Sequence, residues 1–254
     1  MKGDSRSLIT HGHHTEGRAK RQSASELNRS YYDQQASEYD ECVFIKARDY
    51  GERYNVILSL MAVSGAEEGP FLELGVGTGT LAARVLERFP SARLDGYDVS
   101  KGMLEEARQK LARYGERARL FQKDITTDLP LDRYQVIYTS STIHHLPNRE
   151  RPRLFHRLYP LLRPGGCLIV SDRFEPDTEE LAGVYEELQR RDFQAQGLDL
   201  KEYEAEKKHG DHLGASLTRY PRYLSLMRKA GFVNVDCVYK YLGAAVIYGQ
   251  RPSD

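Results

Sequence analysis

The amino-acid sequence predicts an α/β fold: a mostly parallel sheet with helices on both faces, finished by an antiparallel hairpin. Three observations carry the prediction. Between residues 71 and 170, short apolar runs rich in β-formers alternate with stretches of helical periodicity, the pattern of βαβ units. The first such run, Phe71–Leu74, passes through Gly75-Val76-Gly77-Thr78-Gly79 straight into a helical stretch. The last two runs, 232–239 and 244–248, are linked through Leu242-Gly243, too short for a helical crossover, so they pair antiparallel.

The elements follow in order. Residues 1–22 hold two large aliphatic side chains after the first Met, Leu8 and Ile9, and carry five Lys or Arg against two Asp or Glu, a net +3. That stretch buries too little apolar surface to order itself and is expected to be a flexible basic arm, with the domain proper over 23–254. A serine near 23–25 can cap a helix running to about Cys42. Tyr50, Tyr54, Ile57, Leu58 and Met61 recur at helical spacing over 46–62. After strand 71–74, Leu81, Val85 and Phe89 give the next helix one buried face. Strand 93–97 is followed by Ser100, a helix cap ahead of Met103, Leu104, Ala107 and Leu111. Strands at 118–121 and 134–139 come next, then a helix at 149–162 that Pro164-Gly165-Gly166 is expected to stop before a strand at 167–170. Residues 174–215 break the rhythm: they are helical in composition and carry five Lys or Arg against twelve Asp or Glu, a net −7. A helix over 217–229 precedes the terminal hairpin.

Composition removes several classes of function. Lys plus Arg and Asp plus Glu are both 37, so no net charge draws the chain to nucleic acid. No run approaches the ~20 apolar residues of a membrane span, and the start lacks the apolar core of a secretory signal, so a cytoplasmic protein is expected. Cys42, Cys167 and Cys237 match no metal or redox spacing and are expected to be free thiols.

The chemistry centres on the glycine loop. Glycine permits positive φ and close approach of a ligand, and ligands in open parallel sheets bind beyond the strands' carboxyl ends. Asp98 closes the second strand, 23 residues after Gly75, where a carboxylate can accept both hydroxyls of a ribose. The spacing G-x-G-x-G is not the dinucleotide G-x-G-x-x-G, whose third position falls on Thr80, and no Lys-Ser/Thr follows as in a P-loop. Asp124, after the third strand, can accept an adenine amine, with Ile125 and Met103 against the ring. Glu73, Asp98 and Asp124 thus end three successive strands, each beside one polar part of an adenosyl amino acid.

On these residues the chain resembles the class I S-adenosylmethionine (SAM)-dependent methyltransferases. The matching segments are 71–79, 94–104, 121–125, 134–146 and 158–172, and the likeness extends through 227–249. It implies a seven-stranded sheet of order 3-2-1-4-5-7-6 with strand seven antiparallel, a helical lid at 174–215, and SAM as cofactor. It also implies cofactor contacts at Tyr39, Glu73, Gly75, Gly77, Thr78, Gly79, Asp98, Val99, Met103, Asp124, Ile125 and Ser140. The Cys or Ser usual between the first two glycines is Val76 here.

Methyl transfer asks the protein to align a nucleophile, exclude water and, where needed, take a proton. His144 and His145, in Ser140-Ser141-Thr142-Ile143-His144-His145-Leu146-Pro147, are the candidate catalytic bases. The Asn/Asp-Pro-Pro-Tyr motif of amine methylation, a Pro-Cys pair and an Asp-Asn Mg²⁺ pair are absent, since Arg173 follows Asp172. His209, Asp211 and His212 read as lid polarity rather than metal ligands. Arg219, Arg222, Tyr220 and Tyr223 are further acceptor-side candidates. The acidic lid favours a neutral or cationic small-molecule acceptor. Two other readings are a tRNA wobble-uridine modifier using SAM or a carboxylated SAM, and a SAM-binding partner subunit without chemistry.

Overall fold

The computed structural model describes residues 24–40, 49–65, 67–197, 199–201 and 217–253. Seven strands form one sheet: β1 (Phe71–Leu74), β2 (Leu94–Asp98), β3 (Ala118–Gln122), β4 (Tyr134–Ser140), β5 (Leu162–Arg173), β6 (Val233–Tyr241) and β7 (Ala244–Gln250). Their order is β3-β2-β1-β4-β5-β7-β6. The first five are mutually parallel, and β7 runs antiparallel to both neighbours. Order and hairpin agree with the sequence.

Helices α1 (Ala24–Gln35), α2 (Tyr50–Val63), α3 (Thr80–Arg88), α4 (Lys101–Leu111), α5 (Arg151–Leu158), α6 (Glu179–Ala195) and α7 (Tyr220–Lys229) surround the sheet. Strand alternation divides the core in two. Phe71, Val136, Tyr138 and Ile169 face Ile57, Met61, Leu81 and Leu104 on one side. Leu72, Leu74, Ile137 and Leu168 face Leu154, Phe155, Tyr223 and Met227 on the other. Both faces of the sheet are buried, and β1, β2 and β4 release their chain into loops at their carboxyl ends.

Several boundaries differ from the sequence reading. The first helix, expected to run to about Cys42, ends at Gln35 in a turn over 36–38. The helix expected over 149–162 is α only to Leu158, and β5 already starts at Leu162, before Pro164-Gly165-Gly166. The glycines do not stop a helix. They bend the strand: Gly165 has φ +77° and donates its N–H to the Arg251 carbonyl, and the pairing with β4 shifts register between Tyr134 and Val136. Helix α7 begins at Tyr220, with Pro221 in its first turn, rather than at 217. The basic arm, Cys42 and the lid histidines His209 and His212 lie outside the described residues. Cys167 and Cys237 are free thiols. No helix among the described residues is long and apolar enough to cross a membrane.

Candidate active site

The glycine loop is three left-handed turns with three different reasons for glycine. Gly75, Gly77 and Gly79 have φ of +71°, +54° and +79°. A Cβ on Gly75 would lie 2.1 Å from Thr142 Oγ1, so this glycine lets the β4 loop approach. A Cβ on Gly79 would lie 3.2 Å from that of Ala107, where α3 meets α4. A Cβ on Gly77 would meet nothing within 4 Å: it would project into the cleft. The loop is pinned beneath by Gly75 and Val76, whose N–H groups both donate to the Tyr97 carbonyl, at 2.8 and 3.0 Å.

Two of the three predicted carboxylates converge on this loop. Asp98 accepts from the Gly77 N–H through Oδ2 and from the Ser100 N–H through Oδ1, both at 2.9 Å. Burial raises its pKa, and those backbone donors only partly offset the rise. Glu73 is 2 % exposed and accepts from the Tyr138 hydroxyl at 2.9 Å. Burial pushes its carboxyl well above the usual range; the Tyr138 bond opposes and the charge of Asp98 adds. Ser140, whose Oγ is buried without a partner, lines the same cleft as Glu73, Gly77 and Tyr39. Asp124 stands beyond β3 and closes a turn of its own, its Oδ1 accepting from the Thr126 N–H at 2.8 Å and hydroxyl at 2.7 Å. Met103 and Ile125 are buried near those strand ends, and the Val99 carbonyl accepts from Gln122 Nε2 at 3.1 Å.

The two histidines part company. His144 is buried, its Nδ1 2.5 Å from Asp172 Oδ1, and its carbonyl accepts from the Arg151 guanidinium at 3.1 Å. The fully buried Asp172 carboxylate also accepts from the Arg173 N–H at 3.0 Å. His145 turns the other way. Its Nε2 meets the Tyr32 hydroxyl at 2.8 Å, while its Nδ1 is buried with no partner among the described residues. Burial holds the His145 pKa well below the usual value, helped by the charges of His144, Arg173 and Arg151, so the ring is neutral.

Thr78, expected at the cofactor, lines the same cleft, where its hydroxyl donates to Asp40 Oδ1 at 2.6 Å. Asp40 also accepts from the Thr80 hydroxyl at 3.0 Å and from the Lys110 ammonium. Burial raises the pKa of Asp40, but the bonds from Lys110 and Thr78 outweigh it and the net shift is downward. A second tie joins Asp33, next to Tyr32 on α1, to the start of α4 through the Ser100 hydroxyl (2.6 Å) and the Gly102 N–H (2.9 Å). Sequence reasoning missed Asp33 and Asp40. Their partners lie 67 and 38 residues away along the chain, beyond any local motif.

A family profile described as "Methyltransferase domain" matches residues 71–166, from β1 into β5. An uncharacterized methyltransferase of Geobacillus thermodenitrificans is 32% identical over 171 residues, 67% of this chain and 74% of that one. A carboxy-S-adenosyl-L-methionine synthase of Campylobacter lari is 20% identical over 82% of this chain and 88% of its own. Among solved structures, the N-methyltransferase NodS of Bradyrhizobium japonicum superposes with a TM-score of 0.64 at 14% identity, over 89% of this chain and all of that one; at that identity the likeness concerns the fold.

Proposed function

The chain belongs to the class I SAM-dependent methyltransferases, with SAM as cofactor, and from that premise we propose that it methylates a small molecule held between the β4–α5 loop and the tyrosines of the N-terminal segment. The observation that carries this reading is the convergence of Asp98, Glu73 and the unobstructed face of Gly77 at the carboxyl ends of β1 and β2.

The residues fit the cofactor in a defined way. Asp98, already oriented by two backbone donors, keeps lone pairs for the ribose hydroxyls. Glu73 and the unpartnered Ser140 Oγ meet the methionyl end, below Tyr39. Asp124 receives the adenine amine, with Met103, Ile125 and the Val99 backbone around the ring. Gly75 and Gly79 shape the loop, and Thr78 holds it through Asp40. SAM supplies a sulfonium methyl already activated by its charge. The protein's work is then alignment and exclusion of water, for which Tyr39, Tyr50 and Tyr54 line the cleft and Tyr50 donates to Ser141 Oγ at 2.7 Å. His144, tied to Asp172, holds the loop that presents His145, whose ring stands 4.0 Å from its own. Helix α6 opens the predicted lid.

The small-molecule assignment is supported by this narrow, tyrosine-lined opening and by a net charge of zero. Incubation with methyl-labelled SAM and, separately, a small-molecule extract or total tRNA tests it. Label in the small-molecule fraction is expected; label confined to RNA overturns it. The Campylobacter lari relative favours a second reading, in which the cofactor handled is carboxylated SAM. A transferred carboxymethyl group, distinguished from methyl by mass, would establish that one.

A further inference from the structure

The polar atoms of His145 carry more information than its position. Its Nε2 is the one hydrogen-bond partner of the Tyr32 hydroxyl among the described residues. Burial drives the Tyr32 pKa far above its ordinary value, so the hydroxyl keeps its proton. Tyr32 is half-buried, and its O–H, with one acceptor in reach, donates to it, because an unmade donor bond carries the larger penalty. Tyr32 therefore donates to Nε2, and the neutral imidazole carries its own proton on Nδ1. That Nδ1–H is itself buried and unpartnered. The side chain placed to act as a base is thus a hydrogen-bond donor waiting for an oxygen.

A cation stands on the same side. Along β5, Ser171 receives the Arg53 guanidinium from α2 at 3.1 Å, whereas Asp172 turns to His144 on the opposite face. Strand alternation puts Arg173 back on the Ser171 face, at the carboxyl end of the strand. Arg173 is exposed and has no carboxylate partner among the described residues. After burial, the leading cause at both rings, its charge makes a smaller contribution that lowers the pKa of Tyr32 and of His145.

We infer that the acceptor is a carboxylic acid, bound as its carboxylate between the guanidinium of Arg173 and the Nδ1–H of His145, and methylated on oxygen without a general base. This rests on the methyl-transfer reading above. The chemistry balances without a proton: a carboxylate lone pair forms the new O–CH₃ bond as the sulfur–carbon bond breaks with its electron pair left on sulfur, giving a neutral ester and a neutral thioether. A phenol or ammonium acceptor would need a lone pair from the protein, and Nδ1 has none to give. The expectation of a neutral or cationic acceptor, drawn from lid charge, yields here to the charge at the strand end.

Four measurements on the full chain test the assignment. A panel of mono-, di- and tricarboxylic acids, with phenols and primary amines as controls, is incubated with methyl-labelled SAM; acids should be labelled, and mild alkali should release the label as methanol. Arg173→Gln should raise KM for the acid at least tenfold and leave SAM affinity, read by calorimetry, unchanged. His145→Asn, which keeps an N–H near the Nδ1 position, should retain kcat within about tenfold, whereas His145→Ala should lose more. Histidine-selective ¹⁵N NMR should find the His145 proton on Nδ1. Alkali-stable label on phenols or amines, no labelled acid while SAM is bound, an Arg173→Gln variant with normal KM or weakened SAM binding, or a proton on Nε2 would each overturn it. Failure of the wild-type chain to bind SAM would instead sink the methyl-transfer reading beneath it.

Discussion

The Tyr32 hydroxyl lies 2.8 Å from Nε2 of His145, across 113 residues of chain, and ties the N-terminal helix to the loop after β4. The rings meet edge to face, with centroids 5.4 Å apart. One bond therefore joins α1 to the β4 loop and sets the proton position of the imidazole in the tautomer inferred above. Tyr32→Phe removes the bond and keeps the ring packing. A net hydrogen bond is worth about 1 kcal/mol, so kcat should fall roughly fivefold with SAM affinity unchanged. Steady-state kinetics beside calorimetry reads both.

The glycines of the loop should fail in different ways. Gly77→Ala adds a methyl to the cleft and pays about 1–2 kcal/mol for a left-handed residue, so the protein should fold, melt slightly lower and lose SAM binding. Gly75→Ala drives its methyl into Thr142, including the Cβ at 2.9 Å, and should damage folding itself. Thermal melts with and without SAM separate the two.

Glu73 sits almost without solvent, and burial raises its carboxyl pKa well above the usual range. A raised folded-state pKa gives stability that is present below the unfolded value, about 4.3, and lost as pH rises through the folded value. Glu73→Gln keeps a partner for Tyr138 and removes the buried charge. The variant should gain melting temperature relative to the parent as pH rises from 5 to 9, while binding SAM more weakly. Paired melts across that range check the sign.

Asp40 behaves oppositely. Its pKa is lowered overall, so its contribution is present above the unfolded value, about 3.9, and lost as pH falls through the lower folded value. Asp40 and Lys110 are 39% and 30% exposed, which screens the pair, so Asp40→Ala should cost only about 1 kcal/mol, or roughly 2–4 °C. SAM should also dissociate faster, since Tyr39 next to Asp40 lines the cleft. Stopped-flow release of the cofactor measures that.

What the sequence disclosed is what lies close along the chain. The glycine loop, Asp98 at the end of β2 and the Ser100 cap, whose Oγ accepts from the Met103 N–H at 3.1 Å, are set within a few residues. So was the hairpin, because two linking residues admit no crossover. The β5 boundary was hidden because Pro164-Gly165-Gly166 reads as a stop, and only pairing with β4 and the Arg251 carbonyl makes it a bent strand. Thr78 and the two histidines were placed in the right loops, but which atoms they offer depends on Asp40, Asp172 and Tyr32, all distant in sequence. Local pattern locates a side chain; only the fold chooses its partner.

The β1–β2 edge is expected to hold SAM through Asp98. Isothermal titration of the wild-type chain and of Asp98→Ala with SAM, with NAD as the control ligand, tests it most directly. One saturable SAM site per chain is expected, with no heat from NAD and affinity at least tenfold weaker in a variant whose circular dichroism spectrum is unchanged. No saturable SAM site in the wild type, or equal affinity in the variant, would contradict it.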